Sequence, residues 1–438
     1  MSATLFVHDR SAERPAPVER PVASVALRRV LAIAIAAMPL LVPAAPGNIS
    51  PADLPILFAI IGVSGWLLRH RIRLRLPYAA GVWLLMTAGA AAALATVEIH
   101  STTVLAQDAF LLLWAGVLAT ALLVDPSLVR LVCAAWCWSG IGWASVLVTG
   151  RLAGISWLAG QTLADGSRAS LTFGDPNLAG NYFVACLFIV LASRHPRSPV
   201  ARTLGIVLIV LAIVFTGSNG AALGTVIGVI VGWVVALRRS RGPLAALGLA
   251  VLVLLALGVL DRTVDVTALR EAAASSGPVL HDSLGRSDES SKEREALFAE
   301  GSQLFWTHNL VGVGPSRTRP TLADIPAPYV KEAHNDYVAT LVERGIVGGV
   351  GLVVLLATAA VRLGRVAGVR GRAAPAPRAG QVAAPQYLVC LGIAFLVSGA
   401  FYEVLHFRHL WAYLGLVAGL DLIQQRAEHA RSTTTQGT

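Results

Sequence analysis

Long apolar runs separated by short polar connections dominate the chain. Twelve runs stand at about 30–46, 53–68, 78–97, 104–124, 129–149, 178–193, 203–217, 220–237, 243–260, 340–361, 386–405 and 409–425. A helix needs about 20 residues to cross the roughly 30 Å of bilayer hydrocarbon. With no water in that layer to satisfy N–H and C=O groups, uninterrupted runs of this kind must be helical. The pattern predicts an all-α fold, a polytopic transmembrane helical bundle of about 12 spans. Spans 1–9 cover 30–260 and spans 10–12 cover 336–425, with a connecting linker at 362–385 whose Ala, Pro, Gly and Arg content reads as flexible. A large polar loop subdomain, 261–335, falls between spans 9 and 10, and polar tails occupy 1–29 and 426–438.

Composition supports this reading. Hydrophobic residues make up 55% and charged residues 14%, against about 25% charged in soluble domains, which excludes a disordered chain and an ordinary soluble enzyme. The net charge of +10 raises nucleic acid as a partner, but the placement of the arginines answers it. The connections after even-numbered spans hold 16 Arg, including the four of RHRIRLR at 69–75, whereas the short connections after odd-numbered spans hold three, Arg151, Arg168 and Arg408. By the positive-inside rule the arginine-rich side is cytoplasmic. The expected location is therefore a multi-pass inner or plasma membrane protein with both termini cytoplasmic, touching anionic lipid and no nucleic acid. The leader 1–29 is long for a signal peptide, so the first run reads as an uncleaved span, although VPAAPG at 42–47 has small residues suited to cleavage. Cys133, Cys137, Cys186 and Cys390 all fall inside spans, where they read as small apolar packing residues.

Polar chemistry is confined to a few places. The loop 261–335 carries eight Lys/Arg and eleven Asp/Glu. Within it, 292–306 fits an amphipathic helix whose buried stripe is Leu297, Phe298, Gly301, Leu304 and Phe305; Lys292 and Gln303 lie opposite and Trp306 does not fit. Arg294 falls on the apolar face, where a cation either meets an anion or snorkels to a loop carboxylate. Gly312, Gly314 and Pro315 then break the chain, and His334-Asn335-Asp336 leads into span 10 with Asn335 as a plausible N-cap. A neutral His334 just outside a helix N-terminus can accept a proton, and it can equally be structural. In the other external segment, Arg168 precedes the turn FGDPN and Asn177 is read as the cap of a helix beginning near 178. TGSNG, with Asn219, makes a very short turn between spans. Asp108, Glu343, Arg344, Glu403, His406, Arg408 and His409 lie in or near spans and are functional candidates on that ground. The last four cluster at one hairpin, either lining a cavity with His334 or anchoring the interface. The sequence has no D-x-D triplet, phosphate loop, H-E-x-x-H or Cys-rich zinc pattern. No metal and no cofactor are expected.

GDPNLAGN, TGSNG, the Arg-bearing loop helix, GVGP and HNDYVATLVERGIVGG, in that order between about 165 and 360, resemble the O-antigen ligase and O-antigen polymerase family. The resemblance implies a glycosyltransferase moving a glycan from an undecaprenyl-diphosphate carrier to an acceptor hydroxyl on the external face. The acceptor is a glycan, lipid or protein, and ligase and polymerase activities both remain open. It also implies that His334 and Arg294 are catalytic, and that Arg168, with Arg294, Arg317 and Arg319, binds the donor. Asn177, Asn219, Gly314, Asn335 and Asp336 would shape the site. Asn219 stands where the family usually has Arg. The competing readings are a transporter or flippase for a lipid-linked or anionic substrate, whose polar groups would line a path through the bilayer, and a non-catalytic family member.

Overall fold

The structure, a computed structural model, describes residues 21–42, 46–97, 99–161, 166–263, 265, 268, 271–272, 275–276, 281, 289–307, 310–324, 330, 334–368 and 382–435. The tail to residue 20, most of the loop between 264 and 288 and the linker core 369–381 lie outside the described residues. So do residues 43–45 of the small-residue segment after the first run.

Each of the twelve apolar runs overlaps a helix, the first only over residues 30–36 and the eleventh only over 386–399. In chain order the elements are α1 (Val25–Ala36), α2 (Asp53–Arg69), α3 (Ala79–Thr96), α4 (His100–Val124), α5 (Leu128–Leu152), the single turn α6 (Ser156–Ala159), a 3₁₀ turn (Leu171–Phe173) and α7 (Pro176–Ser193). They continue as α8 (Pro199–Thr216), α9 (Asn219–Arg241), α10 (Pro243–Thr263), α11 (Glu289–Thr307), α12 (Thr318–Ala323), α13 (Asp336–Val366), α14 (Gln386–Gly399) and α15 (Arg408–Thr435). The fold is all-helical, with no strand among the described residues. Among the described residues seven helices, α3, α4, α5, α7, α8, α9 and α13, are long and apolar enough to cross a membrane. Pro243–Ala256 and Gln386–Gly399 are apolar but shorter. Sequence patterning thus located the helices, while seven rather than about twelve meet that length and apolarity requirement.

In an apolar solvent, burying apolar side chains gains little, so helices associate through close backbone approach and polar contacts. Both devices are present. Gly224, Gly228 and Gly232 form one stripe of α9 against α14; a Cβ at Gly228 would lie 2.6 Å from the carbonyl oxygen of Cys390. α4 likewise packs on α15, where a Cβ at Gly415 would lie 2.9 Å from the Ala115 carbonyl. Arg–Asp pairs tie distant segments: Arg28 to Asp125 at 2.7 Å, Arg344 to Asp108 at 2.6 Å, Arg362 to Asp421 at 2.6 Å and Arg408 to Asp53 at 2.6 Å.

The last pair is bidentate. Arg408 Nε and Nη2 donate to the two oxygens of Asp53 at 2.8 and 2.6 Å, and the Arg408 side chain is 1% exposed. Asp53→Ala strands that guanidinium, and removing one partner of a buried pair costs about 3–5 kcal/mol. We expect a clear fall in the thermal midpoint of the purified protein for Asp53→Ala, and recovery of most of it in Asp53→Leu/Arg408→Met. An unchanged midpoint in the single variant would show that the pair does not hold α2 to α15.

Candidate functional site

The motif segments converge at one end of the bundle, and backbone hydrogen bonding shows how. Asn335 is the N-cap of α13: its Oδ1 accepts from Tyr337 N at 2.9 Å and Val338 N at 3.1 Å, while Nδ2 donates to the Ala400 carbonyl at 3.2 Å. Asp336, buried, accepts from Val404 N at 2.9 Å and Leu405 N at 3.3 Å. The two residues after His334 therefore clamp the 400–405 hairpin, which no helix hydrogen bond would otherwise hold against α13. His334 itself has φ 46°, the left-handed region a non-glycine residue enters only under constraint, and the clamp made by the two residues after it supplies one.

The GDPN segment is fixed from its other side. Asp175 is the N-cap of α7 and accepts from Asn177 N at 2.6 Å. Asn177, read from sequence as the cap, is already in the first turn of a helix that starts at Pro176, because the aspartate two residues earlier reaches its N–H. Asn177 instead accepts from Arg168 Nη2 at 3.0 Å, and Arg168 Nε donates to the Thr216 carbonyl at 3.0 Å. Ala169 N donates to the Phe215 carbonyl at 3.0 Å. The Arg168 segment is thus stitched to the end of α8 and the TGSNG turn. That turn presses on the hairpin: a Cβ at Gly220 would lie 2.8 Å from the Tyr402 ring. The Tyr402 hydroxyl donates to Ser398 Oγ at 3.2 Å and faces Ser218 and Asn181. Asn219, exposed, is the first residue of α9 beside this contact.

Between these segments lies a half-open cavity of about 360 Å³. Its described lining includes His334, the Gly174–Asp175 turn, and Tyr402, Glu403 and His406 of the hairpin, with Phe173, Leu178, Val42 and Pro46 giving apolar walls. Two histidines and two acidic residues thus line one space with apolar sides, a surface able to hold a polar group and exchange a proton with it. Among the described residues no group of three or more His, Cys, Asp or Glu could hold a metal ion.

Other sequence candidates lie elsewhere. Arg408 is spent on Asp53, and His409, fully buried, hydrogen-bonds through Nε2 to Asn181 Oδ1 at 2.8 Å. Of the hairpin cluster, only Glu403 and His406 line the cavity. Glu343 accepts from Ser316 N at 2.8 Å and Thr318 Oγ1 at 2.9 Å, so it fixes the GVGPSRT loop to α13. Arg344 donates to Asp108 and to the Leu85 carbonyl at 3.2 Å. These three intramembrane ionisable residues are tied up in architecture. Gly345 breaks α13 beside them at φ 60°, ψ −162°, where a Cβ would strike the Leu310–Val311 backbone. Gly314 is buried in the same loop against Ser101, whose hydroxyl donates to the Pro315 carbonyl at 3.0 Å. Arg317 and the exposed Arg319 belong to this loop. Its anchor Glu343 is seven residues beyond Asp336, about 10 Å along the helix at a rise of 1.5 Å per residue. Neither arginine is among the described lining residues.

The helix bearing Arg294 docks on α13 directly after the HND segment. Leu297, Leu304 and Phe305 are buried with Val338, Val342 and Leu322, and Gly301 lets the helices close, its absent Cβ being 2.7 Å from Val338 Cγ1. The expected stripe forms, with Trp306 outside it as anticipated, but Phe298 is 56% exposed, at the stripe's edge. Position 294 is one turn before Leu297 in α11; its side chain lies outside the described residues. The residues that sequence reasoning passed over are Asp175, Tyr402 and Phe173. The aspartate carried a readable signal, since Asp before Pro at a helix start is a cap pattern.

Asp336→Ala leaves two hairpin N–H groups without their acceptor, at about 1–3 kcal/mol for each buried unsatisfied group. We expect a lowered thermal midpoint and faster proteolysis between 400 and 407. Wild-type behaviour in both would remove the clamp from the account.

Comparison with family models gives a match over residues 204–353 to the family described as O-Antigen ligase, about a third of the 438 residues. The matched stretch runs from α8 through the TGSNG turn, α11 and the HND segment into α13, so this part of the chain is similar to the O-antigen ligase family. A comparison with curated proteins gives no match.

Proposed function

We propose that this protein belongs to the O-antigen ligase family and is a membrane glycosyltransferase that moves a glycan from an undecaprenyl-diphosphate carrier to an acceptor hydroxyl, without a metal. In this reading the arginine-rich end of the bundle is cytoplasmic and the cavity opens on the other face. The observation that carries it is the cavity that joins His334 to the Gly174–Asp175 turn and to Glu403 and His406. A proton acceptor sits there beside a space of sugar-ring size, with Arg168 tied to the adjoining turn.

The reaction is an inverting displacement. The acceptor oxygen forms a bond to the anomeric carbon as the bond from that carbon to the diphosphate oxygen breaks, and the diphosphate leaves with the electron pair. His334 takes the acceptor's proton, a role worth about 10²–10⁴-fold in rate. Arg294 and Arg168 hold the diphosphate, which needs paired, directional donors to offset its growing charge. Asn335 and Asp336 act one step back, by fixing His334 and the hairpin. Asp175 and Glu403 suit the acceptor side, because carboxylates accept hydrogen bonds from sugar hydroxyls and repel phosphate. Arg317 and Arg319, on the anchored 310–324 loop, would meet only a part of the donor that extends beyond the cavity, and Gly314 shapes that loop. Asn219 leaves the TGSNG turn without the family's cation, so Arg168 carries more of the diphosphate.

The test is transfer by the purified protein in nanodiscs, supplied with undecaprenyl-diphosphate-linked glycan. His334→Ala and Arg294→Ala are each expected to lose at least about 100-fold in transfer while inserting and migrating as wild type. Retention of wild-type transfer by both would end these assignments. Movement of the lipid-linked glycan across proteoliposomes with no glycan product would support a flippase instead.

A further inference from the structure

The segment joining α2 to α3 carries a second feature, at the arginine-rich end of the bundle, that the cavity does not use. α2 stops at Arg69, and Arg71, at φ 54°, turns the chain out of helical geometry. Residues 72–76 then run outside any helix, and burial alternates with a period of two: Ile72, Leu74 and Leu76 are half-buried against the core, whereas Arg71, Arg73 and Arg75 are exposed, as is Arg69 before them. That period is that of an extended chain, in which alternate residues stand roughly 6.5–7 Å apart on one side.

The segment is anchored rather than loose. Arg75 N donates to Thr120 Oγ1 at 3.0 Å, Thr120 Oγ1 approaches the Arg75 carbonyl at 3.4 Å, and Gly116 of α4 leaves room for the chain, since a Cβ there would lie 2.8 Å from the Arg75 carbonyl. None of the four guanidinium groups enters an ion pair among the described residues, in contrast to Arg28, Arg344, Arg362 and Arg408. A depth marker sits beside them. Trp66, in the last turn of α2, is half-buried and packs edge-on against His70 at 6.0 Å, and tryptophan favours the membrane–water boundary. A fixed row of four unpaired cations at headgroup level, backed by apolar residues that cannot turn outward, matches the phosphates of an anionic leaflet.

We propose that Arg69, Arg71, Arg73 and Arg75 form a binding ridge for anionic phospholipid headgroups, holding lipid phosphates against the α2–α3 connection. The ridge is independent of the glycosyl-transfer reading and stands or falls without it. Arg→Gln at the four positions keeps the backbone anchors, which belong to Arg75 N and C=O. The comparison variant is Arg194→Gln/Arg197→Gln/Arg238→Gln/Arg241→Gln, which removes the same charge from other exposed arginines.

The experiment is native mass spectrometry of the purified full-length protein titrated with phosphatidylglycerol, phosphatidylcholine or soluble glycerol phosphate, with the thermal midpoint followed in parallel. Wild type and the comparison variant should bind phosphatidylglycerol within about twofold of each other, and the ridge variant roughly tenfold more weakly, as expected when several cations near the headgroups are removed together. Phosphatidylcholine and glycerol phosphate should leave the midpoint unmoved. If the fourfold variant does not purify, Arg71→Gln/Arg73→Gln should weaken phosphatidylglycerol binding by about threefold or more. Undiminished binding by the ridge variant, or by this pair where the pair replaces it, would overturn the proposal. So would equal loss in the comparison variant, which would show that charge number and not the ridge matters. Glycerol phosphate binding as well as the lipid would replace it with a site for free phosphate.

Discussion

The site depends on a carboxylate holding backbone amides. Asp336 sits buried at the start of α13 and accepts from Val404 and Leu405, joining two segments almost seventy residues apart in the chain. A hairpin between two helices has N–H groups with no helical partner, and buried ones must find an acceptor. By supplying it from the residue two after His334, the chain makes the position of the imidazole and the position of Glu403 and His406 one structural decision. Asn335 repeats the device with its cap and its donation to Ala400. The same logic recurs opposite, where Asp175 caps α7 and Asn177 receives Arg168.

Around the site, the helices cohere by means suited to an apolar surrounding. The glycine stripe of α9 brings α14 to backbone contact, and the GVGP loop is locked to the break in α13 by Glu343 and by glycines at 312 and 345. Arg–Asp pairs between sequence-distant segments add orientation, since each fails if its helices rotate. Their arginines are paired and partly or wholly shielded, which separates them from the exposed arginines of the 69–75 ridge. One residue type therefore serves two purposes, and the nearby carboxylate distinguishes them.

Much of this was legible in the sequence. Hydropathy marked twelve segments that each overlap a helix, because lipid permits few alternatives, and a 3.6-residue period exposed Leu297, Gly301, Leu304 and Phe305 as the face that docks on α13. The order of the short motifs suggested one site, and His334 and the Gly174–Asp175 turn line one cavity. What the sequence hid was partnership. Nothing near Arg408 announces that Asp53, 355 positions away, will neutralise it, or that Asn181 will take His409. Glu343 and Arg344 looked like chemistry in a membrane helix, yet each is consumed by a contact made across the fold. Hydropathy also marks where a helix forms better than how long it is, so helices such as α1, with 12 residues, and α14, with 14, fall short of the length that the apolar runs suggested.

The most direct test of the account is an electron cryomicroscopy map of the protein in a nanodisc with an undecaprenyl-diphosphate-linked glycan bound. The account predicts density for the reacting sugar inside the cavity, within about 3 Å of the His334 imidazole as proton transfer requires, between the Gly174–Asp175 turn and the 403–406 hairpin. Density for the sugar and diphosphate bound elsewhere, with that cavity empty and His334 turned away from the carrier, would contradict it.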